Sequence, residues 1–344
     1  MRRAVERGAD AGVVTQSLVD PRLEHEPSAS SPPAVSVVVP VYRNVETLAE
    51  LVGRLELASR QLDDRLEAIF VIDGSPDDSG ALLRALLNNS SLRARLAWHS
   101  RNFGAFAAVR TGLELASGQC IAVMAADLQE PMSLLADLHA ALSDGRNDIA
   151  LGVRRSRQDP RFARLTSTWF WAVYCRLVQP QMPCGGVDVF ACTPKVRDAL
   201  LGLEESNSSL VGLLIWLGFQ RVEIPYDRQP REHGRSAWTL RKKVRYLLDS
   251  IYSFTDLPIN LLFAVGVIGV LMSMTGALVV FFAWLVVGTR VPGYTPIMLT
   301  LLLTASATLS GLGVVGSYVW RTYENSKRRP GAVKTLVEDF DAPA

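Results

Sequence analysis

Two long uncharged stretches near the C-terminus constrain this chain more than any other feature. No Asp, Glu, Lys or Arg occurs from Leu257 to Thr289 or from Val291 to Trp320. Their apolar cores run over residues 259–287 and 296–320. A bilayer span needs about 20 apolar residues, and helices of soluble cores rarely run so far without charge. Between the stretches lies Gly288-Thr289-Arg290-Val291-Pro292-Gly293-Tyr294, a turn by composition. The pair therefore reads as a transmembrane helical hairpin at residues 258–321, its first helix long enough to need tilt or an interfacial end. Basic residues flank the outer ends: Arg235, Arg241, Lys242, Lys243 and Arg245 before it, Arg321, Lys327, Arg328 and Arg329 after it. The turn has only Arg290, so both ends of the hairpin, with the large N-terminal part and the tail at 322–344, belong in the cytoplasm. The pairs Gly269/Ser273 and Gly313/Ser317 would permit close helix contact, within one chain or in a homo-oligomer.

Net charge is only +2, so no basic field singles out nucleic acid as a partner. Cys120, Cys175, Cys184 and Cys192 form no CxxC pair, and no histidine cluster accompanies them. That spacing argues against zinc and for free thiols in a reducing compartment. Residues 1–33 lack the apolar core of a signal peptide and end in a Pro/Ser-rich run, which reads as a disordered extension.

From residue 34 to 155 short apolar runs alternate with helical patterns. Val35–Val39, Ala68–Ile72, Ala94–Trp98, Ile121–Ala125 and Ile149–Val153 read as strands, with helices over Thr47–Arg60, Gly80–Leu87, Ala105–Ala116 and Met132–Leu142. Continuous apolar strands alternating with helices predict an α/β fold around a mostly parallel sheet covered on both faces. Such sheets bind ligands beyond the carboxyl ends of their strands. The polar residues stand there: Pro40-Val41-Tyr42-Arg43-Asn44, then Asp73-Gly74-Ser75-Pro76-Asp77-Asp78-Ser79, then Ala126-Asp127-Leu128-Gln129-Glu130-Pro131. No GxGxxG or GxxxxGK[ST] follows the first strand, which disfavours dinucleotide and P-loop sites. Asp127 and Gln129 are two apart at a strand end. In extended geometry they share a face and could reach one Mg²⁺ or Mn²⁺, a hard cation that accepts few protein ligands beside phosphate and water. The competing reading makes Asp127 only the cap of the helix from Met132.

The segments VSVVVPVYRN (35–44), DGSPDDS (73–79), SRNFGAFAAVRTGL (100–113), AADLQEP (125–131), GVR (152–154), GGVDVF (185–190), WLGF (216–219) and YDRQPREHGRSAW (226–238) together resemble glycosyltransferase family 2. The likeness is to its dolichol/polyprenyl-phosphate sugar synthases, including bacterial two-span members. It covers about 34–257 and extends to the C-terminal pair of spans. This resemblance implies a GT-A domain at 34–235 and inverting transfer of one sugar. The donor would be a nucleotide-diphosphate sugar and the acceptor an undecaprenyl- or decaprenyl-like polyprenyl phosphate. The setting would be the cytosolic face of the inner membrane, and the product would serve cell-envelope glycans or glycolipids.

By the same resemblance Asp73 serves the nucleoside, with Pro40, Tyr42, Asn44, Gly74, Ser75, Arg101, Asn102 and Ala126 around the nucleotide sugar. Arg235 and Ser236 would lie at the donor diphosphate, and Asp127 and Gln129 would hold the metal. Arg154 would handle phosphate and Asp188 would sit at the acceptor phosphate. Two acids common in the family are missing, since Ile72 precedes Asp73 and Ala125 opens AADLQEP. Ala237 replaces a usual Lys.

Two aromatic and basic segments suit a lipid surface. One spans 161–178 with Arg164 and Trp169. The other is a juxtamembrane helix at 236–257 with Trp238, Arg241 and Lys242. The first could equally pack on its own domain; the second adjoins a span, which favours the membrane over such packing. A processive polysaccharide synthase is the nearest rival, but it would carry QxxRW, which is absent here. A non-catalytic membrane scaffold is the other, motivated by Ile72 and Ala125.

Overall fold

The structure is a computed structural model that describes residues 32–63, 65–155, 176, 180–183, 187, 189–203, 205, 209–229, 240–287, 294–327 and 329–341. The expected extension at 1–33 lies almost wholly outside these residues. So do the turn at 288–293, nearly all of 161–178, and the site candidates Asp188, Arg235, Ser236, Arg164, Trp169 and Trp238. Arg241 and Lys242 fall on a helix whose side chains are not described there.

Strand β1 (Val35–Val41) is central because both of its faces are apolar. Val35, Val37, Val39 and Val41 enter one buried cluster and Val38 enters another. β2 (Leu66–Ile72) splits the same way, with Phe70 and Ile72 on the first face and Ile69 and Val71 on the second. β3 (Arg93–His99) follows β2, and β4 (Cys120–Val123) returns to the far side of β1. These four strands are mutually parallel. Helices α1 (Leu48–Gln61), α2 (Ser79–Leu87) and α4 (Ser133–Ser143) cover the first face; α3 (Ala105–Leu115) covers the second. Each fully buried Leu or Val in these layers contributes roughly 1.5–3 kcal/mol.

Beyond β4 the described chain departs from simple alternation. β5 (Ile149–Arg154) and β6 (Val189–Cys192) pair antiparallel, as do β6 and β4, while β7 (Arg221–Tyr226) runs parallel to β5. Helices α5 (Pro194–Leu201) and α6 (Leu210–Trp216) join the second face; Ser209 caps α6 by accepting from Gly212 N–H at 3.2 Å. Two antiparallel steps restore the original direction, so β5 and β7 end at the same sheet edge as β1, β2 and β4. Cys120 and Cys192 are free and buried on β4 and β6, and burial pushes both thiols up to about 12.

The tail holds a structural surprise. Residues 322–344 read as a tail, yet β8 (Lys334–Phe340) pairs antiparallel with β3 and completes the sheet order β7-β5-β6-β4-β1-β2-β3-β8. Glu338 receives Arg84 at 2.7 Å and the Trp98 indole N–H at 2.9 Å. Arg95 bridges Asp339 at 3.2 Å and the buried Glu67 at 3.3 Å. The domain is thus not the continuous 34–235 stretch expected, because its outer strand comes from beyond the apolar helices.

Helix α7 (Leu240–Phe254) corrects the interfacial reading in part. Leu247, Ile251 and Phe254 pack with Met182 and Ile215 on the domain itself. A Cβ on Gly212 of α6 would stand 2.6 Å from the Phe254 ring, so only glycine admits that contact. Next come α8 (Leu257–Val287) and α9 (Tyr294–Ser326). Among the described residues Leu257–Gly276 is long and apolar enough to cross a bilayer, and the protein buries none of it. Phe263 is 73% and Met272 70% exposed, an apolar surface that water does not tolerate at this length. The two helices approach at Gly311, where an added Cβ would lie 3.0 Å from Leu262; among the described residues nothing comes within 4 Å of one at Gly269 or Gly313. At the cytosolic-side end expected of α9, Arg321 donates to Asp249 of α7 at 2.6 Å and lies over the Tyr252 ring.

Candidate functional site

The chain runs β1 to β3 toward one side and then places β4 on the other side of β1. That reversal leaves a crevice at the carboxyl ends of β1 and β4, the usual ligand position in open α/β sheets. Thr47 spans it, donating from Oγ1 to Ala126 O at 2.7 Å.

The loops after β1 and β2 are sewn together. Arg43 adopts φ +58° and donates its N–H to Ser75 Oγ at 2.8 Å. Asn44 N–H reaches Ser79 Oγ at 3.1 Å, and Tyr42 N–H reaches Asn44 Oδ1 at 2.9 Å. Ser75 Oγ in turn donates to Asp77 at 2.5 Å. Burial alone would raise Asp77, but hydrogen bonds from Ser75 and Ser79 outweigh it and hold the carboxyl below its ordinary range. Pro40, within β1, is the half-buried residue leading into these loops.

Asp73 faces inward and is 2% exposed. Its Oδ1 accepts from Phe103 N–H at 2.8 Å and meets His99 Nδ1 at 2.9 Å; Oδ2 accepts from Gly104 N–H at 2.8 Å. An ionised carboxylate only accepts, so His99 Nδ1 carries the proton. His99 Nε2 meets Thr111 Oγ1 at 2.9 Å. Burial raises the Asp73 carboxyl, while the bonds from His99, Phe103 and Gly104 lower it below its usual range and prevail. Asp73, expected at the nucleoside, holds the 101–104 loop in this structure. Gly74 at φ +56° lets that loop approach, since a Cβ would fall 2.3 Å from Arg101 C and 2.4 Å from Asn102 N. Arg101 lies over the Phe103 ring at 4.3 Å.

Asp127 and Gln129 converge, but not by strand alternation. β4 ends at Val123, and Leu128 between them takes φ +58° in a turn. A buried leucine in the left-handed region costs about 1–3 kcal/mol and persists only where its surroundings enforce it. The two side chains meet a common cation: Arg228 Nη2 lies 2.5 Å from Gln129 Oε1 and 3.9 Å from Asp127 Oδ2. The main chains of residues 129 and 229 also pair, Gln229 N–H to Gln129 O at 2.9 Å, while Gln129 Nε2 donates to Gln229 O at 3.2 Å. A carboxylate and an amide oxygen gathered round one positive centre are a donor set that fits Mg²⁺ or Mn²⁺ completed by phosphate and water.

Arg154 ends β5 opposite Tyr226 of β7, two residues before Arg228. β6 begins at Val189, opposite Gly152.

His99, Thr47 and Arg228 escaped the sequence reading. Strand RVEIPY over 221–226 was the available signal for Arg228, because a strand there places residue 228 at the same edge as Asp127.

The pattern of the family described as Glycosyl transferase family 2 matches residues 36–196. An uncharacterised glycosyltransferase of Synechocystis is 32% identical over 299 residues, covering 86% of this chain and 93% of that one. The bactoprenol glucosyl transferase of Shigella phage SfV is 29% identical, over 86% of this chain and 96% of its own. An undecaprenyl-phosphate 4-deoxy-4-formamido-L-arabinose transferase of Sodalis glossinidius is also 29% identical, over 86% and 91%. With an α/β fold whose sheet is mostly parallel, and with a 32% identical glycosyltransferase covering 86% of its length, the chain belongs to glycosyltransferase family 2.

Proposed function

We propose that this glycosyltransferase moves one sugar, with inversion, from a nucleotide-diphosphate sugar to a polyprenyl phosphate at the cytosolic face of the inner membrane. One observation carries the reading. The Asp127/Gln129/Arg228 cluster sits at the open edge of a sheet that a 15-residue helix, α7, ties to an exposed apolar helix of membrane length. A site held there suits an acceptor whose head is polar and whose tail stays in lipid. The bactoprenol and undecaprenyl-phosphate relatives are named for such an acceptor, and they differ in the sugar.

Topology supports the same picture. β8 pairs with β3, so the chain leaving α9 returns to the side from which it entered α8. If α8 crosses the bilayer, α9 must cross back, giving two spans with basic cytosolic flanks.

Asp127 and Gln129 are the residues that would hold Mg²⁺ or Mn²⁺, which would neutralise charge on the departing nucleoside diphosphate. Asp73, through Phe103 and Gly104, sets the loop beside the nucleotide. Arg154 stands ready for phosphate. The acceptor monoester is already largely ionised at neutral pH, so Asp188 is assigned to orient it more than to remove a proton. Attack from the face opposite the leaving group passes through an oxocarbenium-like transition state. The test is to incubate membranes bearing the protein with a panel of nucleotide sugars and polyprenyl phosphate, then identify the glycolipid. Formation of a monoglycosyl lipid that Asp127→Ala slows by on the order of 10²–10³-fold is expected. A polymer, or no lipid product from any donor, overturns the reading.

A further inference from the structure

A guanidinium stands where the two oxygen donors converge. Arg228 Nη2 donates to Gln129 Oε1 and faces Asp127 Oδ2 at 3.9 Å. A divalent cation bonded to those oxygens at about 2.1 Å would place two positive centres within a few ångströms, so the two occupants exclude each other. The pose also leaves Arg228 under-used. Its Nε is buried and makes no hydrogen bond among the described residues, although a guanidinium offers five donors suited to paired oxygens. Arg228 follows Tyr226, the last residue of β7, with its segment pinned through Gln229 to residue 129, so the guanidinium can leave while its backbone stays.

We propose that Arg228 is an internal stand-in for the divalent cation, a positioning residue that keeps Asp127 and Gln129 gathered until cation and donor diphosphate arrive together. The diphosphate oxygens give the displaced guanidinium new acceptors. Cation and nucleotide binding are therefore coupled, and the cation alone binds weakly. This inference rests on the donor-site reading above.

The test measures Mn²⁺ affinity of the full chain in detergent by the electron-spin-resonance signal of free Mn²⁺, alone and with UDP or GDP. Wild type is expected to bind Mn²⁺ about tenfold or more tighter with the matching nucleoside diphosphate. Arg228→Met and Arg228→Gln should bind Mn²⁺ without nucleotide about tenfold tighter than wild type, because a unit charge beside the site is gone. Most of the coupling should disappear with it. Adding Asp127→Asn to Arg228→Met should erase the gain, which locates it at this site. Arg228 variants that bind nucleotide yet hold Mn²⁺ alone no tighter than wild type overturn the proposal by itself. Wild type that binds neither UDP nor GDP overturns the donor-site reading, and the proposal with it.

Discussion

The loops after β1, β2 and β3 differ in kind from those after β4 and β7, although all five meet at one sheet edge. The first group is bonded mainly within itself, with Thr47 Oγ1 to Ala126 O as a link to the loop after β4. Asp73 takes donors from His99, Phe103 and Gly104, and Ser75, Asp77 and Ser79 fasten the 42–44 turn. The β3 flank is clamped by β8, whose neighbour Val333 accepts from Ser100 N–H at 3.0 Å. The second group is pinned at its backbone by Gln229 N–H to Gln129 O at 2.9 Å, but its charged side chains meet through Arg228, 3.9 Å from Asp127. Fixed hydrogen bonds with short side chains make a preorganised cradle. A guanidinium on a flexible stem makes a contact that can be exchanged. On the function proposed above, the first group would be a rigid nucleotide half and the second a rearrangeable phosphate half, as a transferase needs when its leaving group changes charge distribution during reaction.

The sharpest way to break this contrast is Asp127→Ala. It removes the carboxylate of the exchangeable half. Transfer should fall by on the order of 10²–10³-fold, as for loss of a preorganised charge-stabilising group. The unfolding midpoint should stay within a few degrees of wild type. A large loss of stability would mean that this half is as structural as the other.

Asp73→Ala probes the opposite half and should reverse the pattern. Three donors, two of them backbone, lose their acceptor in a buried place, at a cost of about 3 kcal/mol or more. The acid limb of stability should change as well. Asp73 and Asp77 are both held below their ordinary value of 3.8 in the folded state. Their contribution is complete above about pH 4 and is lost as pH falls through the folded values. Asp73→Asn should therefore flatten denaturant stability measured from pH 5 down to pH 2.5. An unchanged acid limb would remove Asp73 from this role.

How far the sequence carried the argument follows from the same physics. The first five strands were legible because each is a largely buried apolar run, the first four with a helix behind them. β6 (VFAC) is only four residues, and β7 is interrupted by Arg221 and Glu223 and β8 by Lys334, Glu338 and Asp339, so neither rises above loop composition. β8 is unreadable for a further reason. Its partners Arg84 and Trp98 stand some 240–254 residues away, and a pairing at that separation leaves no local pattern. Asp127 and Gln129 were named, but through strand alternation, whereas the turn at Leu128 brings them together. His99 and Arg228 gained meaning only once the ends of β3 and β7 were in place.

Loss of β8 tests whether the rigid half depends on the tail. Glu338→Ala removes the acceptor shared by Arg84 and the Trp98 indole, the latter partly buried. A cost of about 1–2 kcal/mol is expected, since the exposed arginine pair contributes little and the indole N–H more. Donor KM should rise while kcat holds, because Ser100 and the 101–104 loop follow β8 and the Asp127 cluster does not.

The smallest effect concerns the joint between domain and apolar helices. Arg321 reaches Asp249 at 2.6 Å, with side chains 19% and 33% exposed, and also rests on Tyr252 at 5.0 Å. Asp249→Asn keeps the shape and a hydrogen-bond acceptor, so global stability should change by no more than about 1 kcal/mol. Its informative readout is orientation, not stability. If the joint sets the height of the site above the lipid, transfer to a long-chain polyprenyl phosphate in vesicles should drop a few-fold. Hydrolysis of the donor, which needs no lipid, should not. Equal loss of both would show that α7 supports the fold of the domain and does not aim it.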